Sequence, residues 1–190
     1  MEIVIILGLI FLNGILSMSE IAMVSARKSR LETAAKKGSK TAKTALRLAN
    51  EPDRFLSTIQ IGITLIGILT GLYSGEALAG DLARWLETIG IPQAHSLTLA
   101  KGIIVILVTY LTLILGELVP KHLGMNAPEK IARLIARPME VLSKIASPFV
   151  WLLSASTQAV IRLTGLHAST ENKVTEEEIK AIIQDCLLYT

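Results

Sequence analysis

The chain has 190 residues, of which 51% are hydrophobic, 18% charged and 4% aromatic, and it carries a formal net charge of +3. A soluble domain usually carries about 25% charged residues; here the charges cluster and leave long stretches almost free of them, which excludes a soluble enzyme. The basic balance does not point to nucleic acid, because the basic residues flank apolar stretches, where membrane-orientation signals belong, and the expected partner is the lipid bilayer.

Residues 3–24 form the first apolar stretch, long enough to cross a hydrocarbon core of about 30 Å. Only Met1 and Glu2 precede it, with no basic leader region and no small-residue cleavage site. The stretch is therefore expected to be a retained anchor rather than a signal peptide. Asn13, Ser17 and Glu20 are spaced by four and three, which puts them on one helical stripe.

Residues 28–50 are rich in Ala, Leu and Lys and predict a basic cytoplasmic helix, stopped at Asn50-Glu51-Pro52. The second span is expected at 55–79. Its small and polar residues, Ser57, Gln60, Thr64, Gly67, Gly71 and Gly75, step by three or four along one face. Glycines at four-residue spacing predict close helix packing.

The third span is expected at 102–119, with Thr109, Thr112 and Gly116 on one stripe and Glu117 adjacent. Pro120 has no N–H and its ring clashes with the carbonyl four residues earlier, so the helix is predicted to kink or break there. That break frees the Gly116 oxygen. A fourth stretch, residues 141–161, is interrupted by Lys144, Pro148 and Gln158. It predicts a re-entrant or interfacial segment rather than a fourth span.

Charge bias orients the spans. Nine basic residues lie between Arg27 and Arg54 against Glu32, Glu51 and Asp53, and Lys121, Lys130, Arg133 and Arg137 follow the third span. By the positive-inside rule both segments are cytoplasmic, giving an N-out, C-in arrangement. The expected fold is an all-α membrane protein with three transmembrane helices plus a juxtamembrane or re-entrant helical belt, placed in the cell (inner) membrane.

Polar groups inside a span are costly and normally face a partner, a cavity or an ion. Allowing for tilt, Ser17, Thr64 and Glu117 fall at depths that let them line one cavity. With Asn13, Glu20 and the Gly116 carbonyl they make an all-oxygen set, which suits Mg²⁺ or another hard cation. For the Gly, Ser and Thr positions alone, plain helix packing is the better explanation of the pattern. His95, His122 and His167 are scattered, no nucleophile or phosphate-binding motif is present, and the single cysteine, Cys186, allows no intrachain disulfide.

Asn13-Gly-Ile-Leu-Ser17-Met-Ser-Glu20-Ile-Ala22, with Ser25 and Arg27 after it, resembles the first helix of the CNNM/CorC transmembrane domain. Glu51-Pro-Asp-Arg-Phe-Leu-Ser57-Thr-Ile-Gln-Ile-Gly62 resembles the entry to its second helix, and Gly116-Glu-Leu-Val-Pro120-Lys121 its third-helix motif. The resemblance covers about residues 1–180. It implies a homodimeric transporter or regulator of Mg²⁺ and related divalent cations, coupled in some members to Na⁺, with a juxtamembrane helical belt. It favours Ser17, the Gly116 carbonyl and Glu117 as ligands.

Many transporting members carry Gly-Asn-Asn in the second helix, where this chain has Gly62-Ile63-Thr64; Thr64 then stands in for an amide ligand. The resemblance divides the chain into a transmembrane domain, 1–165, whose juxtamembrane helices occupy 128–165, and a linker, 166–190. That linker leads toward a cytoplasmic CBS-pair domain, beyond Thr190 in the full-length protein. The expected function is divalent-cation transport, with Mg²⁺ efflux first. The alternative is a non-conducting regulator or cation sensor that assists another transporter. A membrane-damaging role lacks the amphipathic pore-forming segment it would need.

Overall fold

The computed structural model describes residues 1–163. His167, Cys186 and the linker motif at 174–180 lie outside the described residues. The first helix, α1 (Glu2–Ser25), ends where Ala26 turns to extended backbone. The basic segment is two helices rather than the single one expected, α2 (Lys28–Lys36) and α3 (Lys40–Asn50). Gly38 separates them at φ +91°, a conformation open to glycine but costly for other residues. Ser39 then caps α3, its Oγ accepting from the Ala42 N–H at 3.3 Å.

Helix α4 (Pro52–Ala77) begins with proline in its first turn, where the missing N–H costs nothing. It leads almost directly into α5 (Ala79–Thr88), an amphipathic helix burying Ala79, Ala83 and Leu86. After a turn at Gly90, φ +98°, α6 (Gln93–Leu113) runs into a five-residue π-helical turn, Ile114–Leu118, and then α7 (Val119–Asn126). The helix that carries the expected third span therefore starts at Gln93, before residue 102; the polar run at its beginning and Lys101 hide the helix from an apolar-window reading. The last helix, α8 (Pro128–Leu163), contains Pro138 and Pro148 in its interior.

Three helical stretches among the described residues are long and apolar enough to cross a membrane: Glu2–Ser25, Pro52–Thr88 and Gln93–Asn126. Helix α8 is not one of them.

The main core lies around the C-terminal half of α1 and the N-terminal half of α4. Leu16 and Met23 of α1 meet Leu31, Ala45 and Leu48 of α2 and α3, Phe55 and Ile59 of α4, and Ala132, Ile135 and Met139 of α8. A second cluster joins Ile6 and Ile10 to Ala79, Ile104 and Val108. Salt bridges tie the belt to the basic helices, Arg30 to Glu129 at 3.6 Å and Arg47 to Glu140. Helix α1 thus sits centrally, packed on α4 along one side and on the π turn and α7 along another.

Candidate functional site

Proline chemistry builds the site. In an unbroken α-helix the N–H of residue 120 would bond to the Gly116 oxygen, and Pro120 has no N–H to give. The chain responds with a π turn in which the Val119 N–H reaches back five residues to the Ile114 oxygen. Gly116 O is left to accept from outside the helix, and the Asn13 Nδ2 of α1 donates to it at 3.1 Å. In place of the expected kink or break the helix continues through this π turn, and the Gly116 oxygen takes Asn13 as its partner.

Glycines permit this approach. A Cβ on Gly14 would stand 2.9 Å from Pro120 Cγ and 3.1 Å from the Leu115 oxygen; one on Gly116 would stand 3.2 Å from both Asn13 Nδ2 and the Ile10 oxygen. At Gly124 a Cβ would fall 2.4 Å from Ile21 Cγ2 and 2.8 Å from the Met18 oxygen. A Cβ would force a shift at Gly14 and Gly124, and at Gly116 its neighbours would have to give by a few tenths of an ångström, so glycine permits the close approach of α1 to the π turn and α7.

Against that contact lie three buried oxygens with no hydrogen-bond partner among the described residues: Asn13 Oδ1, Ser17 Oγ and Thr112 Oγ1. Asn13 and Ser17 are 5% and 1% exposed and lie one turn apart on α1; Thr112 lies one turn before Gly116 on the facing element. Buried polar atoms without partners carry a desolvation cost of about 1–3 kcal/mol each, so their concentration at this contact marks it as the candidate site. Neighbouring hydroxyls show the ordinary alternative. Ser19 Oγ donates to the Ile15 oxygen at 2.6 Å and Thr70 Oγ1 to the Ile66 oxygen at 2.7 Å.

The two carboxylates meet through a lysine. Lys121 Nζ stands 2.7 Å from Glu117 Oε1 and 4.0 Å from Glu20 Oε2, all three side chains being 26–41% exposed. Among the described residues no three His, Cys, Asp or Glu side chains cluster as a metal-binding group. The Asn13, Ser17 and Thr112 side chains and the Gly116 carbonyl offer oxygens, the donor type hard cations take, while the Glu117 carboxylate is engaged by Lys121. His122 is exposed.

Thr64 is the exception among the expected residues. It is exposed on α4, as are Gln60, Gly67 and Gly71, and the structure does not bring it to Ser17. Helix α4 instead turns Phe55, Ile59 and Ile66 inward, and a Cβ on Gly62 would fall 2.6 Å from Leu16 Cδ1. Apolar burial against α1 sets the rotation of α4 and overrides the small-residue stripe. Thr112, read from sequence only as part of a packing stripe, is the residue that joins the group; its lack of a backbone acceptor is invisible without the structure.

Thr112 also borders a cleft of about 150 Å³ between α4 and α6, lined by Gly67, Thr70, Ser74 and Thr109 among others.

The chain is 47% identical to the UPF0053 protein sll0260 of Synechocystis sp. over 97% of its own length and 41% of that protein's. It is 31% identical to the UPF0053 protein YhdT of Bacillus subtilis, covering 94% of this chain and 39% of the relative. It is 29% identical to the polyamine export protein of Escherichia coli K12, over 96% of this chain and 41% of that protein. The chain thus spans about two fifths of the length of these curated relatives. The family described as the cyclin M transmembrane N-terminal domain matches residues 4–186. With its three candidate spans and a family match over nearly the whole sequence, this membrane chain belongs to the CNNM family.

Proposed function

We propose that this chain is the membrane part of a transporter of hard divalent cations, with Mg²⁺ as cargo exported from the cell and Na⁺ as the coupling ion. One observation carries the reading: Asn13 Oδ1, Ser17 Oγ and Thr112 Oγ1 are buried without partners beside a carbonyl that Pro120 has freed. Mg²⁺ keeps several waters and takes one or two carboxylates. In this reading Glu117 supplies the charge while Asn13, Ser17, Thr112 and the Gly116 carbonyl supply neutral oxygens.

Lys121 is a built-in competitor for Glu117. An arriving cation takes the carboxylate from the ammonium, which has Glu20 4.0 Å away as its second partner. We assign Thr64 no ligand role within one chain. The orientation proposed is N-terminus outside and belt inside, in a homodimer joined through the exposed Gly67 and Gly71 face of α4, with a CBS pair on the cytoplasmic side of the full-length protein.

The test is calorimetric Mg²⁺ binding to the detergent-purified protein, followed by Mg²⁺ flux in proteoliposomes. Saturable binding that is lost in Glu117→Gln supports the reading; absence of binding and flux in the wild type ends it. A cation sensor that does not conduct is the second reading, favoured by Ile63-Thr64 in place of the amide pair. Binding without flux under any gradient selects it. The name of the Escherichia coli relative makes spermidine the competitor to include, since an ammonium also suits carboxylates and carbonyls.

A further inference from the structure

A second polar cleft lies outside the cation site, between α3, α4 and α8. It encloses about 160 Å³ and is lined by Arg47, Arg54, Lys144, Glu51, Glu140 and Ser143, among others. Three cations face two carboxylates there. Arg47 Nη2 and Lys144 Nζ both contact the same atom, Glu140 Oε1, the second at 3.1 Å. Arg54 pairs with no carboxylate among the described residues; its Nη2 donates to the neutral Ser147 Oγ at 3.2 Å. The cleft therefore holds an excess of positive charge with guanidinium donors to spare.

We propose that this cleft binds the phosphate headgroup of an anionic membrane phospholipid. The surroundings select a lipid over a soluble anion. Val141, Ile145 and Phe149, at four-residue spacing on the outer side of α8, are all exposed and form an apolar strip beside Lys144. Helix α4, whose first turn contributes Arg54, continues directly into a candidate span. Fixed cations at the foot of a span, next to exposed aliphatic and aromatic side chains, match a headgroup with its acyl chains alongside. Guanidinium groups suit the bidentate geometry of phosphate oxygens. The proposal does not depend on the cation reading, since none of these residues belongs to that site.

Native mass spectrometry of the detergent-purified chain, given equal phosphatidylglycerol and phosphatidylcholine, tests it. Phosphatidylglycerol is expected to be retained preferentially, and Arg54→Gln and Lys144→Gln each to lower that preference about fivefold. Arg84→Gln, on α5, is expected to leave it unchanged. Circular dichroism establishes that the variants keep their helix content. Should they lose it, a photoactivatable phosphatidylglycerol on the wild type decides, with crosslinks expected on α3, α4 or α8. Equal retention of both lipids, an undiminished preference in the variants, or crosslinks elsewhere overturns the proposal. So does inorganic phosphate at millimolar concentration displacing phosphatidylglycerol completely, which marks a soluble-anion site.

Discussion

The Asn13 side-chain amide donates to the Gly116 carbonyl oxygen across 3.1 Å, linking α1 to the π turn 103 residues later in the chain. The bond exists because Pro120 cannot make it from within its own helix. It fixes the Asn13 amide with its nitrogen toward Gly116, and so leaves Asn13 Oδ1 as one of the buried oxygens without a partner.

Asn13→Ala removes the donor and leaves the Gly116 oxygen buried without a partner. Destabilisation by about 1–3 kcal/mol is expected, together with loss of Mg²⁺ binding. Thermal unfolding in detergent, paired with calorimetry, reads both; unchanged stability would mean that water already serves the carbonyl.

Pro120→Ala restores the backbone N–H and lets the π turn relax to α-helix, with the Gly116 oxygen drawn back into the helix. Stability is expected to hold or rise, since a proline inside a helix costs about 3 kcal/mol. Mg²⁺ affinity is expected to fall at least about tenfold, equivalent to about 1.4 kcal/mol. A variant that binds as tightly as wild type would separate the freed carbonyl from cation binding.

Gly124→Ala places a methyl 2.4 Å from Ile21 Cγ2 and 2.8 Å from the Met18 oxygen. Backbone cannot yield as a side-chain end can, so α7 must lift from α1, at about 1–3 kcal/mol. Gly102→Ala meets nothing within 4 Å and is expected to be neutral or stabilising by up to about 1 kcal/mol through helix propensity. Melting temperatures of the two variants in one detergent make the comparison, and an equal effect would contradict the close approach.

Lys121→Gln removes the ammonium shared by Glu117 and Glu20. Two carboxylates then face each other's field without a counter-ion, so fold stability is expected to drop while Mg²⁺ binds more tightly. Calorimetry on Lys121→Gln and Glu117→Gln side by side checks the opposite signs. Weaker binding in both variants would make Lys121 a positioning residue for Glu117 and not its competitor.

Hydrogen bonds from Lys144 and then Arg47 hold the Glu140 carboxyl below its ordinary value of 4.5, against a smaller opposing effect of burial. Because the shift is downward, its stabilising contribution is full above that ordinary value and is lost as pH falls through the lower folded value. Unfolding followed from pH 7 into acid is expected to show a steeper loss in wild type than in Glu140→Gln, with the difference confined to pH below about 5. Parallel curves would show that Arg47 and Lys144 find other partners, Glu51 being the other acid that lines the same cleft.

The sequence by itself determined the membrane class, the three spans and the irregularity in the helix before Pro120. These follow from runs of apolar residues long enough to cross a bilayer and from one missing N–H, and neither needs a partner elsewhere in the chain. It also marked Asn13, Ser17, Gly116 and Glu117, because polar groups in a span stand out by their cost.

Only the tertiary structure decided how the helices rotate. Helix α4 turns Ile59 and Ile66 toward α1 and leaves Thr64 outside, because apolar burial acts over the whole interface while a single hydroxyl does not. Helix length at 93–101 and the division at Gly38 were likewise settled by packing and backbone conformation that an apolar window does not weigh. Which hydroxyls bond their own helix, as Ser19 and Thr70 do, and which are left over, as Ser17 and Thr112 are, depends on rotamers fixed by neighbours. The same holds for Lys121 joining Glu20 to Glu117. A contact between residues a hundred positions apart is set by the space between helices, and that space exists only once they have packed.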